Sequence, residues 1–94
     1  MLLVRNSFIA KPGQASKLAA QLKEATARFI PNARILTDLT GEFNRVVMEF
    51  EVANLAEFEA SLQQYASNKE LRGMLAGYTD HWVTGTRELF QVWS

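Results

Sequence analysis

Cysteine is absent from this chain, and histidine occurs only once, at position 81. Without cysteine there are no disulfides, thiolate nucleophiles or thiolate metal ligands. A single histidine also leaves too few imidazole ligands for an ordinary zinc or iron centre. Glycine-rich phosphate-binding motifs are missing as well. We therefore expect a protein that uses neither a metal nor a cofactor.

An excess of charge of either sign is also missing, because ten basic residues balance ten acidic ones. A balanced chain lacks the basic surface that nucleic acid or an anionic membrane would need. No apolar run approaches the roughly 18 residues that span a bilayer. Residues 1–6 lack the basic start and long apolar stretch of a secretory signal. The sequence therefore predicts a cytoplasmic protein with no nucleic-acid or membrane partner.

The chain does have a regular spacing of apolar residues, and this spacing predicts its secondary structure. Alternating apolar positions predict four strands, and turn-forming residues separate them from their neighbours. The predicted strands cover residues 2–10, 33–40, 43–52 and 86–93, with breaks at 11–13, 31–32, 41–42 and 84–85.

Helical spacing occurs in two places. Apolar residues three and four positions apart predict a helix over residues 14–29. A second helical region follows Asn54, which stands three positions before Glu57 as a helix cap should. Ser67 and Asn68 offer a second start of the same kind. We therefore expect this region to form two pieces with a joint near residues 66–68.

The order strand, helix, strand, strand, helices, strand defines a fold class. At 94 residues the chain is expected to form one domain. Two strand–helix–strand crossovers packed on one side of a four-stranded antiparallel sheet give the α+β, ferredoxin-like βαββαβ arrangement. We predict this fold over residues 1–94.

The second face of this sheet predicts a homodimer. On the first strand Leu3 and Ile9 lie opposite Val4 and Phe8, so both faces carry large apolar side chains. Helices cover one face, and an apolar second face needs another cover. A second copy of the sheet is the simplest cover. A misassigned strand register is the alternative. Charged residues interspersed on the strands would form ion pairs within this interface: Arg5, Arg45, Glu49 and Arg87.

Three segments carry a resemblance to a known superfamily. They are residues 5–15 (RNSFIAKPGQA), 46–52 (VVMEFEV) and 82–92 (WVTGTRELFQV). The chain resembles the dimeric α/β-barrel superfamily, in particular the antibiotic-biosynthesis-monooxygenase-like domains, over essentially its whole length. The resemblance implies a barrel-forming dimer. Its motifs specify the fold rather than the chemistry, because the superfamily includes cofactor-free oxygenases, heme-degrading enzymes, isomerases and members of unknown role.

His81 is the first candidate catalytic residue, because it alone titrates naturally near neutral pH. One interpretation places it in a pocket between helices and sheet, as proton acceptor or substrate anchor, with Tyr78 and Trp82 as apolar walls. The other interpretation makes it a half-exposed residue favoured by the dipole at the end of a helix. Phe58 and Met74 complete the expected substrate-binding set.

Asn6 is the second candidate, because it is a polar residue on an otherwise apolar strand face. A buried amide needs a hydrogen-bond partner. In the heme-degrading relatives an asparagine of the first strand lies in the pocket, and Asn6 matches it in distance from the glycine turn. Those relatives space a tryptophan and a histidine along the second helical region, whereas His81 and Trp82 are adjacent here. A structural amide bonded to a neighbouring backbone is the alternative role for Asn6.

Two hypotheses about function follow. In the first, the chain is a cofactor-free monooxygenase-type enzyme that acts on a small apolar or aromatic molecule. In the second, it is a non-catalytic small-molecule-binding or stress-response homodimer of the same fold. Convergence of Asn6 and His81 on one cavity would favour the first hypothesis.

Overall fold

The computed structural model describes residues 1–93. Four strands form one antiparallel sheet in the order β2-β3-β1-β4, and the helices cover one side of it. The predicted α+β, ferredoxin-like arrangement is therefore confirmed. Within residues 1–93 no helix combines the length and apolar character needed to cross a membrane. The elements are β1 (Leu2–Ala10), α1 (Ala15–Phe29), β2 (Arg34–Thr37), β3 (Arg45–Val52), α2 (Leu55–Ser67), α3 (Lys69–Met74), a 3-10 turn (Tyr78–His81) and β4 (Trp82–Gln91).

The second helical region does divide in two, and asparagine caps explain where. The Asn54 side chain accepts a hydrogen bond from the Glu57 amide at 2.9 Å and begins α2. Asn68 is extended, so it ends α2, and its side chain accepts from the Leu71 amide at 3.0 Å to begin α3. Both bonds satisfy amide groups that a helix start otherwise leaves unpaired.

The predicted break at residues 84–85 is wrong, because β4 begins at Trp82 and runs straight through both positions. Gly85 pairs with Phe8 across the sheet. A Cβ atom on Gly85 would lie 3.1 Å from the Phe8 ring, so the missing side chain makes room for that ring. This glycine therefore serves packing within a strand and does not end one.

The predicted two-residue connection at 41–42 is also wrong, since the loop between β2 and β3 covers residues 38–44. The Asp38 carboxylate accepts hydrogen bonds from the amides of Thr40 and Gly41, at 3.0 and 2.6 Å, and it pairs with Arg45. These amide bonds, with help from Arg45, lower the pKa of Asp38. Asn44 adopts a left-handed backbone with φ of 64° before β3 begins. The hydrogen bonds of the Asp38 side chain therefore form a turn after β2, and the left-handed Asn44 leads into β3.

The core lies between the sheet and the helices and consists of two clusters. In the first, Leu18 and Leu22 of α1 pack on Ala10 and Val46 of the sheet. The second cluster lies nearer the start of β1 and consists of Val4, Phe50 and Val52. The predicted division of strand faces is confirmed, because Val4, Val46, Phe50 and Val52 all lie on the helix side.

The other side of the sheet, which we call the open face, is uncovered by any helix. Leu36 and Phe90 remain 41% and 38% exposed on it. The registers of the three strand pairs also place several apolar and charged side chains there. They are Leu3, Ile9 and Val47, together with Arg5, Arg34, Arg45, Glu49, Glu51 and Glu88.

Glu49 organises the charges of the open face. Its carboxylate accepts hydrogen bonds from Arg5 Nε at 2.7 Å and Arg34 Nη2 at 2.8 Å. The Arg5 guanidinium also lies 5.1 Å from the centre of the Phe90 ring. Burial raises the pKa of Glu49, but the two arginines outweigh that effect and hold the pKa below its usual value. The carboxylate therefore stays charged on a partly apolar surface.

Arg87 does not belong to this set, contrary to the prediction from sequence. It pairs with Asn6 in the sheet register, and Asn6 lies on the helix side. The side chains of two directly paired residues on neighbouring strands lie on the same face of the sheet. Arg87 therefore points toward the helical layer.

Candidate functional site

A cavity of about 310 Å³ lies between the sheet and the helical layer. This volume is at the lower end of the range of about 300–1,000 Å³ that is typical of small-molecule sites. Val4, Met48 and Phe50 line it from the sheet. Side chains of α1 form one wall, and Phe58 of α2 lies across from them. No residue of α2 is fully buried, although Phe58 packs against the cluster of Val4, Phe50 and Val52.

The cavity contains one charged side chain among residues 1–93, that of Arg87. Its Nε atom donates a hydrogen bond of 2.8 Å to Oδ1 of Asn6. Arginine has no acceptor atom, so this bond fixes the orientation of the Asn6 amide. Asn6 itself is 8% exposed. The pair therefore forms a polar group in surroundings that are mainly apolar.

Three aromatic rings close the end of the cavity nearest the 3-10 turn. Phe8 lies 5.4 Å from Trp82 and 6.2 Å from Tyr78, measured between ring centres. Tyr78 and Trp82 are 6.3 Å apart. Tilted and edge-to-face pairs at these distances are favourable for aromatic groups. The cluster gives this end a rigid apolar wall.

Tyrosine hydroxyls add a second polar feature. Burial, followed by the neighbouring Tyr65 hydroxyl, raises the pKa of Tyr78 to about 12, while the positive charge of Arg87 acts in the opposite direction. Tyr78 is therefore protonated at neutral pH and offers an O–H donor. Tyr65 lies on α2 and also lines the cavity. At neutral pH Tyr78 therefore does not serve as a general base.

The structure brings four of the six predicted site residues together. Asn6, Phe58, Tyr78 and Trp82 all line the cavity. The roles assigned to them stay predictions, because lining a cavity does not establish binding or catalysis.

His81 and Met74 do not line this cavity. His81 Nδ1 lies 3.0 Å from the side-chain oxygen of Gln14, and the His81 carbonyl accepts from the Lys11 amide at 2.8 Å. The residue therefore fastens the turn before α1 to the start of β4. Asn6 and His81 therefore do not converge on one cavity, which is the arrangement that would have favoured the enzyme hypothesis. Leu71 and Leu75, which are close to Met74 in the chain, line the cavity instead.

Arg87 and Tyr65 line the cavity, but the sequence did not predict them as site residues. The sequence placed Arg87 in the dimer interface, and Tyr65 was not among the predicted site residues. Arg87 was recognisable only through its pairing with Asn6, which depends on the register between β1 and β4. Tyr65 stands three positions after Leu62, also a lining residue, so the helix face itself carried the signal.

Metal chemistry finds no support in the described part of the chain. Residues 1–93 contain no group of three or more histidine, cysteine, aspartate or glutamate side chains arranged to hold an ion. Lining residues of the cavity are apolar, aromatic, amide, hydroxyl or guanidinium in character.

No family model and no curated protein matches the sequence. Solved structures do match the fold. An uncharacterised NIPSNAP domain protein from Burkholderia xenovorans matches 100% of this chain and 96% of its own, with a TM-score of 0.84 and 12% identity. A NIPSNAP family protein from Agrobacterium tumefaciens matches 96% of this chain and 90% of its own, with a TM-score of 0.83 and 9% identity.

A structure described as an antibiotic biosynthesis monooxygenase also matches. The alignment covers 100% of both chains, with a TM-score of 0.73 and 15% identity. The chain therefore has the ferredoxin-like fold of the NIPSNAP and antibiotic-biosynthesis-monooxygenase-like proteins, as the sequence resemblance implied. Identities this low show a common fold and leave activity to be argued from the site.

Proposed function

We propose that this chain binds a small apolar or aromatic molecule in the cavity between its helices and its sheet. The observation that carries the proposal is an apolar cavity of about 310 Å³ with one oriented polar pair, Arg87 and Asn6. Apolar walls supply affinity in such sites, and a few placed polar groups supply orientation.

Filling the cavity is expected to abolish binding. Ser61 lies on α2 and lines the cavity, so a phenylalanine at this position would occupy the space of the ligand. Naphthalene derivatives should raise the melting temperature of the wild-type chain, because a ligand that binds only the native state stabilises it. With Ser61→Phe we expect this rise to disappear.

Ser67→Phe is the matched control. Ser61 and Ser67 both donate a hydroxyl hydrogen bond to a backbone carbonyl of α2, but Ser67 is exposed at the end of the helix. The control should keep the full ligand-induced rise in melting temperature. Equal responses in the two variants would place the ligand outside this cavity and contradict the proposal.

Cofactor-free monooxygenase activity on the bound molecule is the second candidate. The fold shared with an antibiotic biosynthesis monooxygenase favours it. In such a reaction an activated CH₂ group of the substrate reduces O₂, which yields a carbonyl and one water, so the substrate supplies all the electrons. The protein would contribute orientation and exclusion of water. Neither His81 nor a carboxylate reaches the cavity, so the substrate itself must lose its proton readily.

Oxygen uptake tests this second candidate. With an anthrone as substrate, an oxygen electrode should record consumption by the wild-type chain above the uncatalysed rate. Ser61→Phe should return the rate to that background. Uptake that is equal with and without the protein would reject the oxygenase and leave the binding function standing.

We further propose that two copies pair through the open face. Its apolar side chains lack a cover, and its charges are of both signs, with arginines beside glutamates. A two-fold axis brings each patch against its own copy, so a surface with both signs can complement itself. The helix-side cavity would remain free in such a dimer.

A further inference from the structure

Arg87 and Asn6 present unpaired hydrogen-bond donors at the cavity. Among residues 1–93, Arg87 forms no ion pair and makes one hydrogen bond, through Nε to Asn6. Its two terminal NH₂ groups make no hydrogen bond to the described residues, and the exposed position of Arg87 leaves them accessible. The Asn6 amide nitrogen likewise makes no hydrogen bond to the described residues. Donors of this kind favour a ligand that brings an acceptor.

Trp82 contributes a further unpaired hydrogen-bond donor. Its indole N–H is buried and has no hydrogen-bond partner among residues 1–93. A buried donor without an acceptor destabilises the folded state. Sites that keep such groups are commonly completed by a ligand or by water. The lining of the cavity thus includes one cation and a residue with a buried unpaired donor, and no carboxylate lines it.

The opposite end of the site has a different character. A shallower groove of about 240 Å³ continues from the cavity and shares Ile30, Phe50 and Ser61 with it. Glu57 lies along this groove. Its negative charge would repel an anionic group there, whereas Phe50 and Ile30 offer apolar contact. A ligand with one anionic end is therefore favoured with that end at Arg87 and its apolar part toward the groove.

From these observations we propose that the ligand is an aromatic or aliphatic carboxylate, bound with its carboxylate on Arg87 and Asn6 and its apolar body directed toward Phe50. The terminal NH₂ groups of an arginine match the two oxygens of a carboxylate. One guanidinium balances one carboxylate, which distinguishes this ligand from a phosphate dianion. The proposal rests on the binding function proposed above and specifies the class of ligand.

A matched pair of probes tests the ligand class. 2-Naphthoate and 2-naphthamide share one apolar body and differ in the charge of one group. A carboxylic acid with a pKa near 4 is fully ionised at pH 7.5. Calorimetric titration of the full chain at that pH should show naphthoate binding about tenfold or more tightly than naphthamide.

Substitutions of Arg87 then assign the preference to one residue. Arg87→Gln should weaken naphthoate by about tenfold and affect naphthamide much less, because the lost guanidinium charge attracts only the ionised probe. Arg87→Lys should retain part of the preference. Arg72→Gln is the charge-matched control, since Arg72 is exposed on α3 with a single long hydrogen bond of 3.4 Å to the Ala66 carbonyl. It should bind both probes as the wild type does.

The outcomes separate this proposal from the broader one. Equal affinity for the two probes in the wild type, or a preference that survives in Arg87→Gln, would overturn the carboxylate ligand while the cavity still binds an apolar body. If neither probe binds the wild-type chain, the ligand class and the proposed binding function both fail.

Discussion

Leu36→Asp should prevent the dimerisation that we propose for the open face. Leu36 lies on β2, pairs with Val47, and remains 41% exposed on that face. In a dimer formed through this face, the new carboxylate would lose its hydration, and a two-fold interface contains it twice. We expect dimerisation to weaken by about 100-fold or more, which corresponds to about 3 kcal/mol.

Sedimentation equilibrium measures this change, with Leu55→Asp as the control. Leu55 is 61% exposed at the start of α2, on the helix side of the sheet. The control should sediment as the wild type does. A monomeric wild-type chain at micromolar concentration would contradict the open-face dimer, and so would a Leu36→Asp variant that remains dimeric.

Leu18→Ala should cost the largest amount of folding free energy of any substitution considered. Leu18 of α1 is 0% exposed and packs with Leu22, Ala10 and Val46 beneath the sheet. Removal of a fully buried leucine side chain lowers the free energy of unfolding by about 2–5 kcal/mol, because apolar contacts are lost and a cavity remains. Total stabilities of domains are only about 5–15 kcal/mol, so this change takes a large share.

Urea unfolding at fixed protein concentration measures the loss. Leu55→Ala is the matched control, because it makes the same change in a helix at an exposed position and should alter stability by less than about 0.5 kcal/mol. A Leu18→Ala variant with the stability of the wild type would mean that α1 does not pack on the sheet as described.

The features that the sequence predicted well are local ones. The caps at Asn54 and Asn68 depend on an amide three positions along the chain, so the joint between α2 and α3 was predictable. The strand faces follow from alternation alone. Gly85 was misleading for the opposite reason: its role depends on the Phe8 ring of another strand, about 77 positions away in the chain.

The cavity was only partly predictable, because its contents depend on register and on the height of α2 above the sheet. Asn6 was identified as an unusual polar residue on an apolar face, but its partner Arg87 emerged only from the pairing of β1 with β4. His81 was a candidate because of its chemistry, but it contacts Gln14 and does not line the cavity. A residue that titrates near neutral pH is a candidate only when the fold brings it to the cavity.

The central claim is that the cavity between α2 and the sheet is a ligand site with Arg87 and Asn6 as its polar end. A crystal structure of the chain with 2-naphthoate tests this most directly. We predict the naphthalene rings against Phe50 and Phe58, with the carboxylate within hydrogen-bond distance of Arg87. A structure with the naphthoate on the open face, or with α2 collapsed onto the sheet and the cavity closed, would contradict it.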